Sequence, residues 1–113
     1  MMSLQTKLKK IQDALAAVTG ACYHYRRPRT PDRAYIVWAE DGEDLSFSAG
    51  NWKAEQQIRG YADYFTTVEF DPVVDAIQEA LADPELMTGW SLESVEYEDE
   101  TNLIHYRWQW WTA

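Results

Sequence analysis

Residues 51–66 alternate between two kinds of side chain, and this alternation limits the possible folds of the chain more than any other feature. The mostly apolar set, at every second position, is Trp52, Ala54, Gln56, Ile58, Gly60, Ala62 and Tyr64. The intervening, more polar set is Asn51, Lys53, Glu55, Gln57, Arg59, Tyr61 and Asp63. Because a β-strand turns successive side chains to opposite faces, the pattern predicts one long, half-buried strand. Gly60 is the position at which we expect this strand to bend.

Two amphipathic helices are predicted, at about residues 4–19 and about residues 72–82. The first follows Ser3 as N-cap, and its apolar stripe recurs at steps of three and four. The second begins after Asp71 with proline at its first position, and Pro84 ends it. The stripe residues are Leu4, Leu8, Ile11, Leu15 and Val18 in the first helix and Val73, Val74, Ile77, Ala80 and Leu81 in the second. Both stripes need a sheet to cover them.

A hairpin is predicted between residues 34–39 and 45–49. Asp41-Gly42 is a two-residue signal for a type I′ turn between them. The register that this turn imposes pairs Trp38 with Leu45 and Ile36 with Phe47. All four side chains then share one face, as a half-buried hairpin requires.

A last hairpin is predicted between residues 90–98 and 102–111, with a bulge near Glu93-Ser94 because Leu92 falls out of phase with the residues that follow. A short strand is predicted at residues 21–25. The resulting order is α-β-ββ-β-α-ββ. This order is typical of an α+β domain in which two covering α-helices pack on a curved antiparallel β-sheet.

Composition narrows the class of protein. With 113 residues, 46% of them apolar, the chain is expected to form a single domain over residues 1–113. The net charge of −9 argues against a dedicated nucleic-acid-binding protein, which needs basic groups to neutralise phosphates. The single cysteine, Cys22, excludes an internal disulfide and suits a reducing compartment. No apolar run is long enough to span a membrane, and the N-terminus does not resemble a signal peptide, so synthesis in the cytoplasm is expected.

No catalytic or metal-binding motif is found in the sequence. His24 and His105 are the only histidines, and neither has a further ligand at metal-binding spacing. Cys22 and His24 lie two positions apart on one predicted strand, about 7 Å from each other, which is too far for a direct hydrogen bond. His105 is interpreted as ordinary sheet packing. The sequence therefore predicts a protein that is not an enzyme and that has no cofactor and no metal.

The charge distribution indicates where the protein could contact partners. Four of the ten basic residues fall between residues 26 and 33, and acidic residues cluster at residues 40–44 and 96–100. The basic segment is either a solvated loop or a contact arm. Within one molecule, the basic segment and the acidic clusters could neutralise each other. Between molecules they would give a head-to-tail contact that can close into a ring. The candidate interface residues are Arg26, Arg27, Arg29, Arg33, Glu98, Asp99, Glu100 and Trp111.

The chain resembles the tail-terminator, or tail-completion, proteins of long-tailed bacteriophages and prophages. The resemblance rests on the order of elements, on residues 45–55 leading into residues 61–67, and on Asp71-Pro72. It implies a non-enzymatic subunit of a hexameric ring at the head-proximal end of the virion tail. The implied partners are copies of the chain itself, the tail-tube protein and the head connector protein. A related connector or minor tail role also fits.

Two other functions remain open at this stage. A curved sheet under helices could form a small α+β barrel that binds a ligand or acts as an isomerase, with an aromatic pocket and with Tyr61, Asp63 and His105 as its polar groups. An accessory protein could instead bind a partner through the tryptophan-rich last strand, because tryptophan is enriched at interface hot spots.

Overall fold

The structure, a computed structural model, describes residues 2–31, 33–44 and 56–112. The elements follow the order α1 (Leu4–Val18), β1 (Cys22–His24), β2 (Tyr35–Glu43), β3 (Ile58–Thr66), α2 (Pro72–Leu81), β4 (Met87–Glu98) and β5 (Leu103–Thr112). The five strands form one sheet in the order β1-β2-β3-β5-β4. The predicted α+β class is confirmed. One pair departs from a purely antiparallel sheet, since β1 runs parallel to β2.

Both helices begin and end close to the predicted positions. The Ser3 hydroxyl accepts a hydrogen bond from the Thr6 backbone N–H at 3.1 Å, which caps α1. The Asp71 carboxylate accepts one from the Val73 N–H at 2.9 Å, which caps α2 ahead of its first-position proline. None of the helices in the described residues is long and apolar enough to cross a membrane.

The core lies between the two helices and one face of the sheet, which we call the core face. Successive residues of β3 alternate between this buried face and a more exposed one, which we call the open face. Tryptophans dominate the core because their large rings fill the space under two helices. The core-face residues that are almost fully buried are Ile36, Trp38, Ala62, Tyr64, Trp108 and Trp110, and the helical stripes that cover them contribute Ile11, Leu15, Ile77 and Leu81.

Each helix also reaches the sheet through one glutamine. The indole N–H of Trp38 donates to Gln12 Oε1 of α1 at 2.6 Å. The indole N–H of Trp108 donates to Gln78 Oε1 of α2 at 3.1 Å. A buried indole N–H without a partner loses its hydrogen bond to water without compensation. The two glutamines therefore fix the helices over particular strands in addition to the apolar packing.

We expect Gln12→Leu to lower the free energy of unfolding by about 1–2 kcal/mol, because the buried Trp38 indole N–H would lose its acceptor. Gln5→Leu is the matched control, since Gln5 lies on the same helix and is exposed, and we expect it to change stability by less than about 0.5 kcal/mol. Urea unfolding followed by tryptophan fluorescence measures both. Equal stabilities for the two variants would contradict the role assigned to Gln12.

The central strand of the structure is shorter than the predicted strand over residues 51–66. β3 begins at Ile58, and Gln56 and Gln57 precede it, so the prediction of a strand there is wrong. Residues 51–55 lie outside the described residues. From Ile58 to Thr66 the predicted alternation of the two faces is confirmed.

The predicted type I′ turn at Asp41-Gly42 is wrong. Both residues lie within β2, where Gly42 pairs with Arg59 of β3 beside a bulge. Asp41 is held there by an ion pair with Arg59 at 2.9 Å. The Asp-Gly sequence does not form a hairpin turn here, because β2 lies between β1 and β3 in the sheet and pairs with both of them.

The predicted register of that hairpin is also wrong. Trp38 pairs with Ala62 on one side and His24 on the other, and Ile36 pairs in the same way with Tyr64 and Cys22. Neither residue can therefore pair with Leu45 or Phe47. The predicted strand at residues 45–49 lies outside the described residues.

The predicted last hairpin and its bulge are confirmed, although β4 begins at Met87 and not at Trp90. Val95 pairs with Tyr106, Tyr97 pairs with Ile104, and the register shifts between Leu92 and Ser94, at the predicted bulge.

The hairpin contributes to an elongated molecule of 49 × 23 × 22 Å. Its outer strand, β4, carries exposed apolar side chains, with Leu92 47%, Val95 51% and Tyr97 59% exposed.

Candidate functional site

The open face of the sheet carries a concavity of about 760 Å³. Basic side chains come to it from the β1–β2 connection and from β5, which supply Arg26, Arg27, Arg33 and Arg107. The other lining residues are Pro31, Tyr35, Val37, Asp63, Phe65, Thr67, Glu98, Thr101, Leu103 and His105. We call this concavity, with these residues, the arginine groove. It is open to solvent, and the described strands do not close into a barrel.

The floor of the arginine groove contains a row of stacked rings that crosses three strands. Tyr35 of β2 stacks on Phe65 of β3 with ring centroids 4.9 Å apart, and Phe65 stacks on His105 of β5 at 4.2 Å. Both pairs are direct cross-strand partners, which places their side chains side by side. Tyr23 extends the row from β1, at 6.5 Å from Tyr35. Because Tyr35 and His105 cover both faces of Phe65, this central ring offers only its edge to the groove.

The carboxylates of the groove are both engaged by one histidine. Nε2 of His105 lies 2.7 Å from Asp63 Oδ1, and Nδ1 lies 3.9 Å from Glu98 Oε1. Arg107 Nε is 3.9 Å from the same Asp63 oxygen, and the guanidinium carbon lies 3.9 Å from the centre of the Tyr61 ring. This group of side chains spans β3, β5 and the end of β4. It ties the floor of the groove to the hairpin tip.

The only cysteine of the chain does not accompany this histidine. The single thiol, Cys22, is buried and pairs with Ile36 on the core face, away from His105. Burial raises the pKa of the Cys22 thiol to about 11, so it stays protonated near neutral pH. In the part of the chain that the structure describes, no cluster of three or more His, Cys, Asp or Glu side chains could hold a metal ion.

A second polar cluster sets the start of the basic segment. His24 Nε2 lies 2.7 Å from Glu40 Oε1, and the Tyr25 hydroxyl donates to Glu40 Oε2. The His24 ring is stacked between Tyr25 at 3.7 Å and Trp38 at 3.9 Å. Burial would raise the pKa of the Glu40 carboxyl, but the hydrogen bonds from Tyr25 and His24 hold it below its usual range.

Tyr25 has a left-handed backbone conformation, with φ at 76°. This conformation is unusual for a residue other than glycine and turns the chain at the end of β1. The contacts of Tyr25 with His24 and Glu40 hold it in place. The cluster therefore fixes the direction in which Arg26 and Arg27 leave the sheet.

The structure brings together only some of the predicted interface residues. Arg26, Arg27, Arg33 and Glu98 line the arginine groove of one molecule. Arg29, Asp99 and Glu100 are exposed and do not line it. Trp111 is half-buried on the open face, where it pairs with Arg59 of β3 and Gly89 of β4.

Sequence reasoning missed Arg107, Tyr35 and Phe65 as parts of this surface. The signal that would have found them is the pairing of β3 with β5, which places Asp63 opposite Arg107 and Phe65 opposite His105. These strands are separated in sequence by α2 and β4, so no local pattern indicates their register. The sequence interprets His105 as surface or sheet packing, or as a polar group of a pocket in the barrel alternative; in the structure it lies between Asp63 and Glu98.

Comparison with solved structures supports the fold. No protein-family model matches the chain, and no curated protein matches it in sequence. A chain from the virion of a native gene transfer agent particle has a similar structure, with a TM-score of 0.57. The alignment covers 97% of this chain and 92% of that chain at 15% sequence identity. The two chains thus share an α+β fold over nearly their whole lengths.

Proposed function

We propose that this protein is a structural component of a phage-like virion. The observation that carries the proposal is the full-length structural similarity to a chain of a gene transfer agent virion. A match over almost all of both chains relates whole subunits and not one shared motif. Fold similarity alone does not fix function, so the surface features must agree with an assembly role.

The surface of the last hairpin fits a subunit that meets neighbours. β4 is an edge strand of the described sheet and carries three exposed apolar side chains, Leu92, Val95 and Tyr97. Exposed edges and apolar strips are liabilities for an isolated soluble protein and are common where another chain covers them.

At finer detail, we propose a tail-terminator or tail-completion subunit that forms a hexameric ring at the head-proximal end of the tail. One surface of the ring would match the last tail-tube ring and the other would match the head connector protein, so tube growth stops and the head joins. The net charge of −9 would keep DNA from adhering to the lumen. We propose that eight residues contact neighbouring subunits: Arg26, Arg27, Arg29, Arg33, Glu98, Asp99, Glu100 and Trp111.

Deleting the gene in a strain that produces the particles tests the role directly. We expect tails of irregular length without attached heads, and we expect a plasmid copy of the gene to restore normal particles. Electron microscopy measures tail length and attachment, and mass spectrometry of purified particles measures the protein itself. Normal joined tails would exclude the terminator role, and absence of the protein from purified particles would exclude a virion role.

A further inference from the structure

We propose that the arginine groove of one subunit binds the acidic hairpin tip of a second copy of this chain. We define the tip as residues 96–100, at the end of β4 and the start of the turn that follows. The inference rests on the proposed function, since it names the surface through which subunits of the assembly would meet. It is argued from charge, ring geometry and the limited contact between the tip and its own groove.

The groove carries positive charge that its own molecule does not neutralise. In the described residues, Arg26 and Arg33 line the groove without an ion pair, and Arg27 bonds only to backbone oxygens, those of Pro28 at 3.3 Å and Arg29 at 3.4 Å. Of the two carboxylates that line the groove, Asp63 contacts His105 and Arg107. Glu98 accepts a hydrogen bond from the Thr101 hydroxyl and lies 3.9 Å from His105. A cationic surface on a chain with net charge −9 favours an anionic partner.

The floor favours carboxylates over nucleobases. Bases bind single-stranded nucleic-acid proteins by stacking on free aromatic faces. Here Tyr35 and His105 cover both faces of Phe65, and Phe65 covers one face of each of them. Ring edges carry partial positive charge, and together with guanidinium groups they suit carboxylate oxygens.

The hairpin tip of this chain has the matching chemistry. It contains the acidic residues Glu96, Asp99 and Glu100, all exposed. It also contains Tyr97, which is mostly exposed and can supply an aromatic anchor of the kind that dominates interface hot spots. Glu96 lies on the open face, since it pairs with His105, and Tyr97 lies on the opposite face, since it pairs with Ile104. The tip therefore offers acidic groups on one side and an aromatic ring on the other.

The tip cannot satisfy the groove of its own molecule. The turn is closed by hydrogen bonds from the backbone N–H of Asn102 to the Glu98 carbonyl oxygen at 2.8 Å and from the Thr101 hydroxyl to the Glu98 carboxylate at 3.1 Å. This closed turn brings only Glu98 and Thr101 to the groove. The remaining acidic groups and Tyr97 are left for a neighbour.

Complementary charge reversal tests the contact with the full chain. The groove variant carries Arg26→Glu, Arg27→Glu and Arg33→Glu, and the tip variant carries Glu96→Arg, Asp99→Arg and Glu100→Arg. Sedimentation equilibrium at low salt measures association of each variant alone and of an equimolar mixture. We expect each variant alone to associate at least about 100-fold more weakly than the wild type. We expect the mixture to recover association, because each reversed surface then meets an opposite charge.

Lys10→Glu is the control, because Lys10 is an exposed cation on α1 that does not line the groove. We expect it to change association by less than about threefold. Tyr97→Ser should weaken association by about tenfold. Circular dichroism checks that all variants fold, as expected for exposed positions.

Several outcomes would overturn the contact. The wild type could remain monomeric up to about 1 mM, the groove variant could associate like the wild type, or the mixture could fail to recover. A labelled synthetic peptide of residues 95–101 should bind the wild-type protein, and tighter binding of a scrambled acidic peptide or of a single-stranded oligonucleotide would assign the groove to another partner. Loss of this contact with normal incorporation into particles would refute the inference alone, whereas absence from particles would refute the virion role.

Discussion

Gly60→Ala should lower the free energy of unfolding by about 3 kcal/mol or more, the largest effect expected for a single methyl group in this protein. An ideal Cβ at Gly60 would stand 2.3 Å from the carbonyl oxygen of Ala39 and 2.3 Å from the Trp110 ring. Neither neighbour can move aside at a low cost in free energy, because Ala39 belongs to the paired backbone of β2 and the Trp110 side chain is fully buried. Overpacking a closed core costs about 1–3 kcal/mol when side chains can shift, and more when they cannot.

Gly89→Ala is the matched control for this substitution. Gly89 also lies within a strand, and its ideal Cβ would meet the Trp111 ring at 3.5 Å, which is an ordinary contact. We expect Gly89→Ala to change stability by less than about 1 kcal/mol. Thermal and urea unfolding measure the stability of both variants. A Gly60→Ala protein as stable as the control would mean that the close approach of β2 and Trp110 does not exist in solution.

Asp71→Ala is expected to cost about 3 kcal/mol, because three hydrogen bonds end on this one carboxylate. Its oxygens accept from the Tyr64 hydroxyl at 2.6 Å, the Thr66 hydroxyl at 2.7 Å and the Val73 N–H at 2.9 Å. The substitution would remove the helix cap, worth about 1 kcal/mol. It would also take the acceptor from two hydroxyls whose residues, Tyr64 and Thr66, are almost fully buried.

Asp71→Asn is the control, since it keeps a capping oxygen and loses only part of the network. We expect it to cost less than half as much as the alanine variant. Equilibrium unfolding in urea compares the two. Equal losses for both variants would show that the negative charge, and not the number of acceptors, accounts for the stabilisation.

The same network predicts an acid sensitivity. Burial would raise the pKa of Asp71, but the hydrogen bonds from Tyr64, Val73 and Thr66 together hold the pKa below its usual range. A carboxyl with a lower pKa in the folded state stabilises the protein above its unfolded pKa of about 4 and loses that contribution as the pH falls through the folded value. The wild type should therefore lose more stability than Asp71→Asn between about pH 5 and pH 2.

Elements with strong local signals could be predicted from the sequence. Both helices follow from their caps and from apolar residues at steps of three and four, and their observed bounds, Leu4–Val18 and Pro72–Leu81, differ from the prediction by one residue. The last hairpin followed from its alternation, and the loss of phase at Leu92 located its bulge. In each case neighbouring residues in the sequence carry the whole signal.

The arginine groove shows what local signals could not supply. The basic segment and the acidic tip were visible as charge clusters, but their shared position at one concavity depends on β3 pairing with β5 across a helix and a strand. The same order placed β2 between β1 and β3 and overruled the Asp-Gly turn signal. Strand pairing depends on which apolar faces can be buried against each other.

The sequence by itself determined the α+β class, the two capped helices, the last hairpin and the absence of a recognisable catalytic motif. Only the tertiary structure decided which strands are neighbours, and thereby placed His105 between Asp63 and Glu98 on the floor of a groove lined by arginines. The physical reason is that helix caps and alternation act over a few residues, whereas strand order minimises the exposed apolar area of the whole chain.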